Sequence, residues 1–176
     1  MADTRLYREN ITFYLAFEEA FADKENITAA EMAAGITAGL VFNLTCALDE
    51  SGTTFDLGEP DTDDSLSFCQ SAGSVSPTFD NPEIVYQAFR SSNPTEVNTA
   101  NTAFDLLAFP DVEYIAILRV GGAPDEAVAI GDRLRPVSVS TDYPVDVIDA
   151  GENIRLQQNF LPAGWVAEEY PFTVAA

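Results

Sequence analysis

Hydrophobic and polar positions along this chain follow the period of two that strands show in most stretches, and a helical period in only two. Ile11 to Phe17 (ITFYLAF) is β-branched and aromatic and predicts a short strand. Leu40 to Leu48 (LVFNLTCAL) and Ile84 to Arg90 (IVYQAFR) predict two more. In Asp111 to Val120, Tyr114, Ala116, Leu118 and Val120 alternate against Ile115, Ile117 and Arg119. Both of its faces are apolar, as expected of a strand central in its sheet. Arg133 to Thr141 alternates through Leu134, Val137 and Val139, and Pro136 points to an edge or a bulge. Weaker strand patterns occur at Ser65–Gln70, Ala127–Ile130, Asn153–Leu161 and Tyr170–Val174.

The first helical stretch opens at Thr28, which has capping-box spacing to Glu31. A short helix from Ala29 to Ala34 should follow, stopped by Gly35. The second runs from Thr95 to Phe109. Val97, Ala100, Phe104 and Leu107 mark its apolar face, Ala103 and Leu106 widen it, Thr95 or Asn93 can cap it, and Pro110 ends it. Strands that do not alternate with helices exclude a doubly wound parallel sheet. The pattern predicts a mainly β (α+β) fold, a two-sheet sandwich or barrel-like domain over residues 1–176 with one flanking helix at about 95–109. Residues 1–10 read as a polar N-terminal arm.

Composition narrows the chemistry. The chain has 8 basic and 29 acidic residues, a formal charge of −21, no histidine and a single lysine, Lys24. Histidine-dependent nucleophiles and histidine metal sites are excluded. A sequence pI near 4.1 argues against gripping nucleic acid, which requires clustered cations. It leaves open a surface past which nucleic acid slides without sticking. Solubility needs a net charge of only about 2–8, so the acidity calls for a reason. Its densest stretch is an extended acidic arm at 49–64, with Asp49, Glu50, Asp56, Glu59, Asp61, Asp63 and Asp64 and no basic residue. Low apolar content there predicts an arm that orders on contact with a partner.

Asp61, Asp63 and Ser65 have the spacing of a calcium loop, but Leu66 stands where such a loop needs glycine. No carboxylate pair is singled out for glycoside hydrolysis. Gly121-Gly122 lacks the following Gly-Lys of a phosphate loop and reads as a hairpin turn. Trp165 reads as an anchor in a core or interface. No catalytic residue, metal or cofactor is expected. Cys46 and Cys69 should be buried thiols, as expected in a reducing compartment. The sequons at Asn10, Asn26 and Asn43 say nothing of glycosylation without a secretion signal. No apolar run reaches the roughly 18–20 residues that span a bilayer, and the polar start does not resemble a signal peptide. The expectation is a chain made in the cytoplasm that does not enter a membrane.

Several segments together resemble the major tail proteins, or tail tube proteins, of long-tailed phages with non-contractile tails, especially those of actinobacterial hosts. They are Thr28–Gly35 (TAAEMAAG), Asp80–Arg90 (DNPEIVYQAFR), Ala103–Leu107 (AFDLL), Tyr114–Gly121 (YIAILRVG), Thr141–Pro144 (TDYP) and Gln158–Trp165 (QNFLPAGW). The resemblance implies a structural virion protein and no enzyme. Six copies would form a ring, and rings would stack into a tube around a tape-measure protein, with tail terminator and distal tail proteins as further partners. DNA would then pass through the tube without specific binding during ejection into the host. Within that reading, Asp49, Glu50, Asp63 and Asp64 are expected near the channel, beside strands Leu40–Leu48 and Ser65–Gln70. The arginines Arg90, Arg119, Arg133, Arg135 and Arg155 are expected to avoid it and pair with acids. The alternative is an acidic β-sandwich module that masks a basic partner, as a nucleic-acid mimic does.

Overall fold

A computed structural model describes residues 10–24, 26–57, 62–63, 76–77, 82–148, 153–166 and 172–174. In chain order the elements are β1 (Ile11–Ala16), α1 (Ala29–Ala38), β2 (Val41–Asn43), β3 (Thr54–Leu57), β4 (Thr62–Asp63), β5 (Ser76–Pro77), β6 (Pro82–Phe89) and α2 (Thr99–Leu107). Then follow β7 (Glu113–Val120), β8 (Arg133–Thr141), β9 (Val145–Val147), β10 (Arg155–Val166) and β11 (Phe172–Thr173). Nine strands make one sheet in the order β2-β1-β7-β8-β10-β6-β3, with β11 against β8 and β9 against β10. β4 and β5 pair separately. Every ladder is antiparallel.

The fold is mainly β, as the pattern predicts, but one continuous sheet builds the sandwich-like layers. β7, β8 and β10 lie between β1 and β6 in the ladder. Even so, the Tyr86 hydroxyl of β6 donates to the Tyr14 carbonyl of β1 at 3.5 Å, and the Phe13 and Tyr86 rings are 5.8 Å apart. The sheet has curled until its two halves face each other. Leu15, Tyr86, Ala116, Val137, Leu156 and Phe160 fill the concave side, and Ala103, Leu106 and Leu107 of α2 close it. A second apolar cluster lies on the convex side of β1, β7 and β8. There Tyr14, Ile115, Ile117 and Leu134 meet Ile27 and Met32 from the α1 segment. With both faces covered, β7 is buried along nearly its whole length.

α1 has the expected capping box: the Thr28 hydroxyl accepts from the Glu31 amide at 3.2 Å, and the Glu31 carboxylate accepts from the Thr28 amide at 2.9 Å. The helix runs through Gly35, which is there for packing. A Cβ on it would lie 2.5 Å from Val41 Cγ2. The stop is Gly39, in the left-handed region at φ 71°. α2 starts later than its periodicity suggests, because Asn98 caps it by accepting from the Asn101 amide at 2.8 Å. Asn93 and Thr95 form a turn of their own ahead of it. Val97 therefore lies outside the helix, fully exposed, whereas Ala100 and Phe104 are half-buried and Leu107 is buried.

Four further expectations are corrected. The strand expected at Leu40–Leu48 ends at Asn43, whose side-chain oxygen takes the Thr45 amide and hydroxyl and turns the chain. Of the edge or bulge that Pro136 points to, the edge is wrong, since β8 is central, but the pairing of β8 with β10 does shift register close by, between Pro162 and Val166. Pro136 fits because on the β10 side residues 135 and 136 fall between the ladder to β11 and the ladder to β10. Ala127–Ile130 is an irregular segment rather than a strand. Cys46 is exposed, because the turn at Thr45–Ala47 points it outward, while Cys69 lies outside the described residues.

Candidate assembly interface

The convex side of the sheet changes character from one half to the other. Over β1, β7 and β8 it is apolar and buried. The same side continues over β10, β6 and β3, since Leu161 stands opposite Ser140, Asn159 opposite Val85, and Gln157 opposite Gln87. Beyond them Thr54 pairs with Val85 and Asp56 with Glu83. This half carries Thr54, Asp56, Glu83, Gln157 and Asn159, with Val85, Phe89 and Leu161 among them, all exposed or half-buried. Its amides link laterally: Gln87 donates to Gln157 at 3.4 Å, and Gln157 donates to Asn159 at 3.1 Å. Of these positions the sequence singles out Asp56 alone, as part of the acidic arm. The available signal was a second alternating set that mixes polar with apolar residues, as in Glu83, Val85 and Gln87 of β6 and Gln157, Asn159 and Leu161 of β10.

The turn from Asp49 to Thr53 closes over one end of this open half. Arg155 donates to Asp49 at 2.6 Å, and both side chains are largely buried. Burial works against the Asp49 carboxylate, but hydrogen bonds from Arg155 and from the Ser51 amide and hydroxyl outweigh it and hold its pKa below the ordinary value. Gly52 leaves room for the Gln87 side chain, onto which any Cβ there would project. Asp49 is thus the root of the arm and is locked into the body. Glu50, in the same turn, is exposed. Asp56 lies in β3, so the stretch expected as one loop divides into a turn, an edge strand and β4, where Asp63 stands. Glu59, Asp61, Asp64 and the segment Ser65–Gln70 lie outside the described residues.

Of the five arginines expected to pair with acids, Arg155 meets Asp49, Arg119 meets Asp132 at 2.8 Å and Arg90 meets Asp146 at 3.4 Å. Arg119 is 2% exposed and also donates to the carbonyls of Glu126 and Ala127, which pins the loop between β7 and β8. Gly122 makes that possible, because a side chain there would strike the guanidinium. Arg90 also lies over the Phe104 ring at 4.1 Å. Arg135 is 5.7 Å from the Phe55 ring. Arg133 is exposed at the start of β8.

The main path of the sheet ends at β2 on one side and β3 on the other, and each pairs on one side only among the described strands. Tyr143, Val145, Ile148 and Ile154, at β9 and just before β10, are large apolar side chains left exposed. Between Ile11 and Phe13 of β1 and the Leu48–Thr53 turn opens a cleft of about 320 Å³ that Thr45 and Glu50 also line. Among the described residues no three potential metal ligands come together, and no helix is long and apolar enough to cross a membrane. Open strand ends, an exposed apolar strip and an uncovered sheet face are features of a surface that meets other chains.

The family model described as phage tail tube protein matches residues 1–175. No curated protein matches the chain.

Proposed function

The chain belongs to the phage tail tube protein family, and from that premise we propose that its copies close into six-membered rings that stack into the tail tube. The role is structural, and its place is the phage tail. The observation that carries this reading is the sheet with two open ends, β2 and β3. A strand with a free row of amides and carbonyls recruits another strand, and a closed ring of copies removes such edges. The apolar strip at Tyr143, Val145, Ile148 and Ile154 supplies area to bury between copies. The acidic arm rooted at Asp49 reaches toward the next copy or ring.

The finished tube is a conduit that passes DNA during ejection and does not bind it. A charge of −21 per chain supports this, since like charge holds phosphates off the wall. Assembly in the host cytoplasm around a tape-measure protein, with terminator and distal tail proteins at the ends, completes the reading. The test is light scattering and negative-stain microscopy of the purified full chain as its concentration is raised. Rings or tubes of constant diameter with six-fold end views are expected. A particle that stays monomeric throughout and instead forms a small complex with a basic protein would overturn the proposal in favour of an acidic masking module.

A further inference from the structure

We infer that the turn at 49–53 is a clamp that sets the register of the edge strand β3 on β6, and that Asp49, Gly52 and Arg155 are positioning residues for self-assembly through that edge. This rests on the assembly reading and adds the device that prepares one of its two open strand ends.

The chain meets β6 twice. Leu48 bridges to Ala88, and Thr54 pairs with Val85, so residues 49–53 stand against Tyr86 and Gln87 alone. An excess of this kind bulges outward. The strand that follows has little of its own to fix its register. β3 is only four residues long and pairs on one side only among the described strands.

The bulge is fixed at both ends and across its middle. The Asp49 amide donates to the Gln87 carbonyl at 2.7 Å, and the Gln87 amide donates to the Thr53 hydroxyl at 3.3 Å. Both main-chain groups of Gln87 are thereby taken by the turn. Arg155 stands on β10, one strand beyond β6, and its 2.6 Å bond to Asp49 straps the turn across β6. The Ser51 amide and hydroxyl donate to the same carboxylate at 3.3 and 3.0 Å. Gly52 lets the turn lie flat on Gln87. A Cβ there would strike that side chain as far back as its own Cβ, at 2.9 Å, so swinging the amide aside would not make room.

Register matters because of what β3 carries. In the observed pairing the Phe55 ring turns inward, 6.4 Å from the Phe13 ring and 5.7 Å from the Arg135 guanidinium, while Thr54 and Asp56 are exposed. A slip of one residue exchanges the two sets, sets polar side chains against Phe13 and moves Phe55 to the outside. Release of the turn would also free the Gln87 amide and carbonyl and give a strand a second place to add. With the clamp closed, β3 is one edge in one register for a second copy to meet.

A covalent register lock tests this. In a full-length chain with Cys46→Ser and Cys69→Ser, Thr54→Cys and Val85→Cys place thiols at directly opposed positions. With the clamp intact, oxidation should join them readily in the free chain. With Asp49→Asn or Gly52→Ala added, bond formation should be about tenfold slower, because β3 leaves its register more often. In the reduced chain the same substitutions should slow tube growth by about tenfold, and closing the bond should restore it, since the lock repopulates the competent edge. Equal rates of bond formation with and without the substitutions would show that β3 keeps its register unaided and overturn the inference. Tube growth at the parent rate in the reduced variants, or slowed growth that the closed bond does not restore, would overturn it as well, since Asp49 and Gly52 would not then act by placing β3. Failure of the parent chain to form any ring or tube overturns the assembly reading itself, whereas the rates of bond formation still decide the clamp.

Discussion

Two halves of one sheet face, continuous through the same backbone ladders, are built to opposite specifications. On β1, β7 and β8 the convex side is apolar and covered, so the strands there are buried on both faces. On β10, β6 and β3 it mixes Thr54, Asp56, Glu83, Gln157 and Asn159 with Val85, Phe89 and Leu161, all exposed or half-buried. A sheet imposes the same alternation everywhere, so the difference lies wholly in which residues fill the second set of positions. The covered half gives the subunit its stability. The open half is held at one end by the largely buried Arg155–Asp49 pair, and its exposed polar side chains make fewer contacts within the subunit.

That contrast can be broken at its strongest point first. Asp132→Ala removes the carboxylate facing buried Arg119 and leaves a buried cation, which should cost about 3–5 kcal/mol in denaturant unfolding. A loss well under 1 kcal/mol would show that the Glu126 and Ala127 carbonyls alone satisfy the guanidinium. Ile117→Ala, also in the covered half and 0% exposed, should cost about 2–5 kcal/mol in the same measurement. Gly35→Ala forces a methyl onto Val41 and should cost about 1–3 kcal/mol, despite the better helix propensity of alanine.

The arm root gives a pH dependence. The folded pKa of Asp49 is depressed, so its contribution to stability is present above the unfolded value near 3.9 and is lost as pH falls through the lower folded one. Glu31, depressed chiefly by the Thr28 backbone hydrogen bond, has the same sign. Thermal unfolding followed from pH 7 downward should show the parent losing stability in acid, and Asp49→Asn should flatten part of that loss. Identical acid profiles would show that the Arg155 contact does not depend on the charge of Asp49. Smallest of all, Gln157→Ala in the open half should shift unfolding by no more than about 0.5 kcal/mol. A loss comparable to that of Ile117→Ala would mean that the open face holds the subunit together and would erase the distinction between the halves.

Much of the covered half was legible in the sequence. The run from Tyr114 to Arg119 is apolar on both alternating sets, which implies cover on both faces, and Thr28 with Glu31 announces the helix that supplies it. The series of segments from Thr28 to Trp165 carried the family. Boundaries set by single side chains were less legible: Asn98 rather than Thr95 caps α2, and Asn43 cuts a strand that apolar content alone would extend. Gly35 reads as a helix stop, but its close contact with Val41 exists only in three dimensions. Of the open face, only Asp56 stands out in the sequence, and there it reads as part of the acidic arm at 49–64 rather than as one side of an edge strand. The residues that form the open face come from β3, β6 and β10, brought side by side by a register that periodicity does not reveal. Asp49, expected on a free arm, proved to be held by Arg155, 106 residues away in sequence.

The most direct test is a three-dimensional map of the assembled tube from electron microscopy. The account predicts a hollow tube of stacked six-membered rings in which β2 and β3 are each covered or continued by a neighbouring copy. A tube whose rings hold another number of copies, or in which β2 and β3 both stay open to solvent, would contradict it.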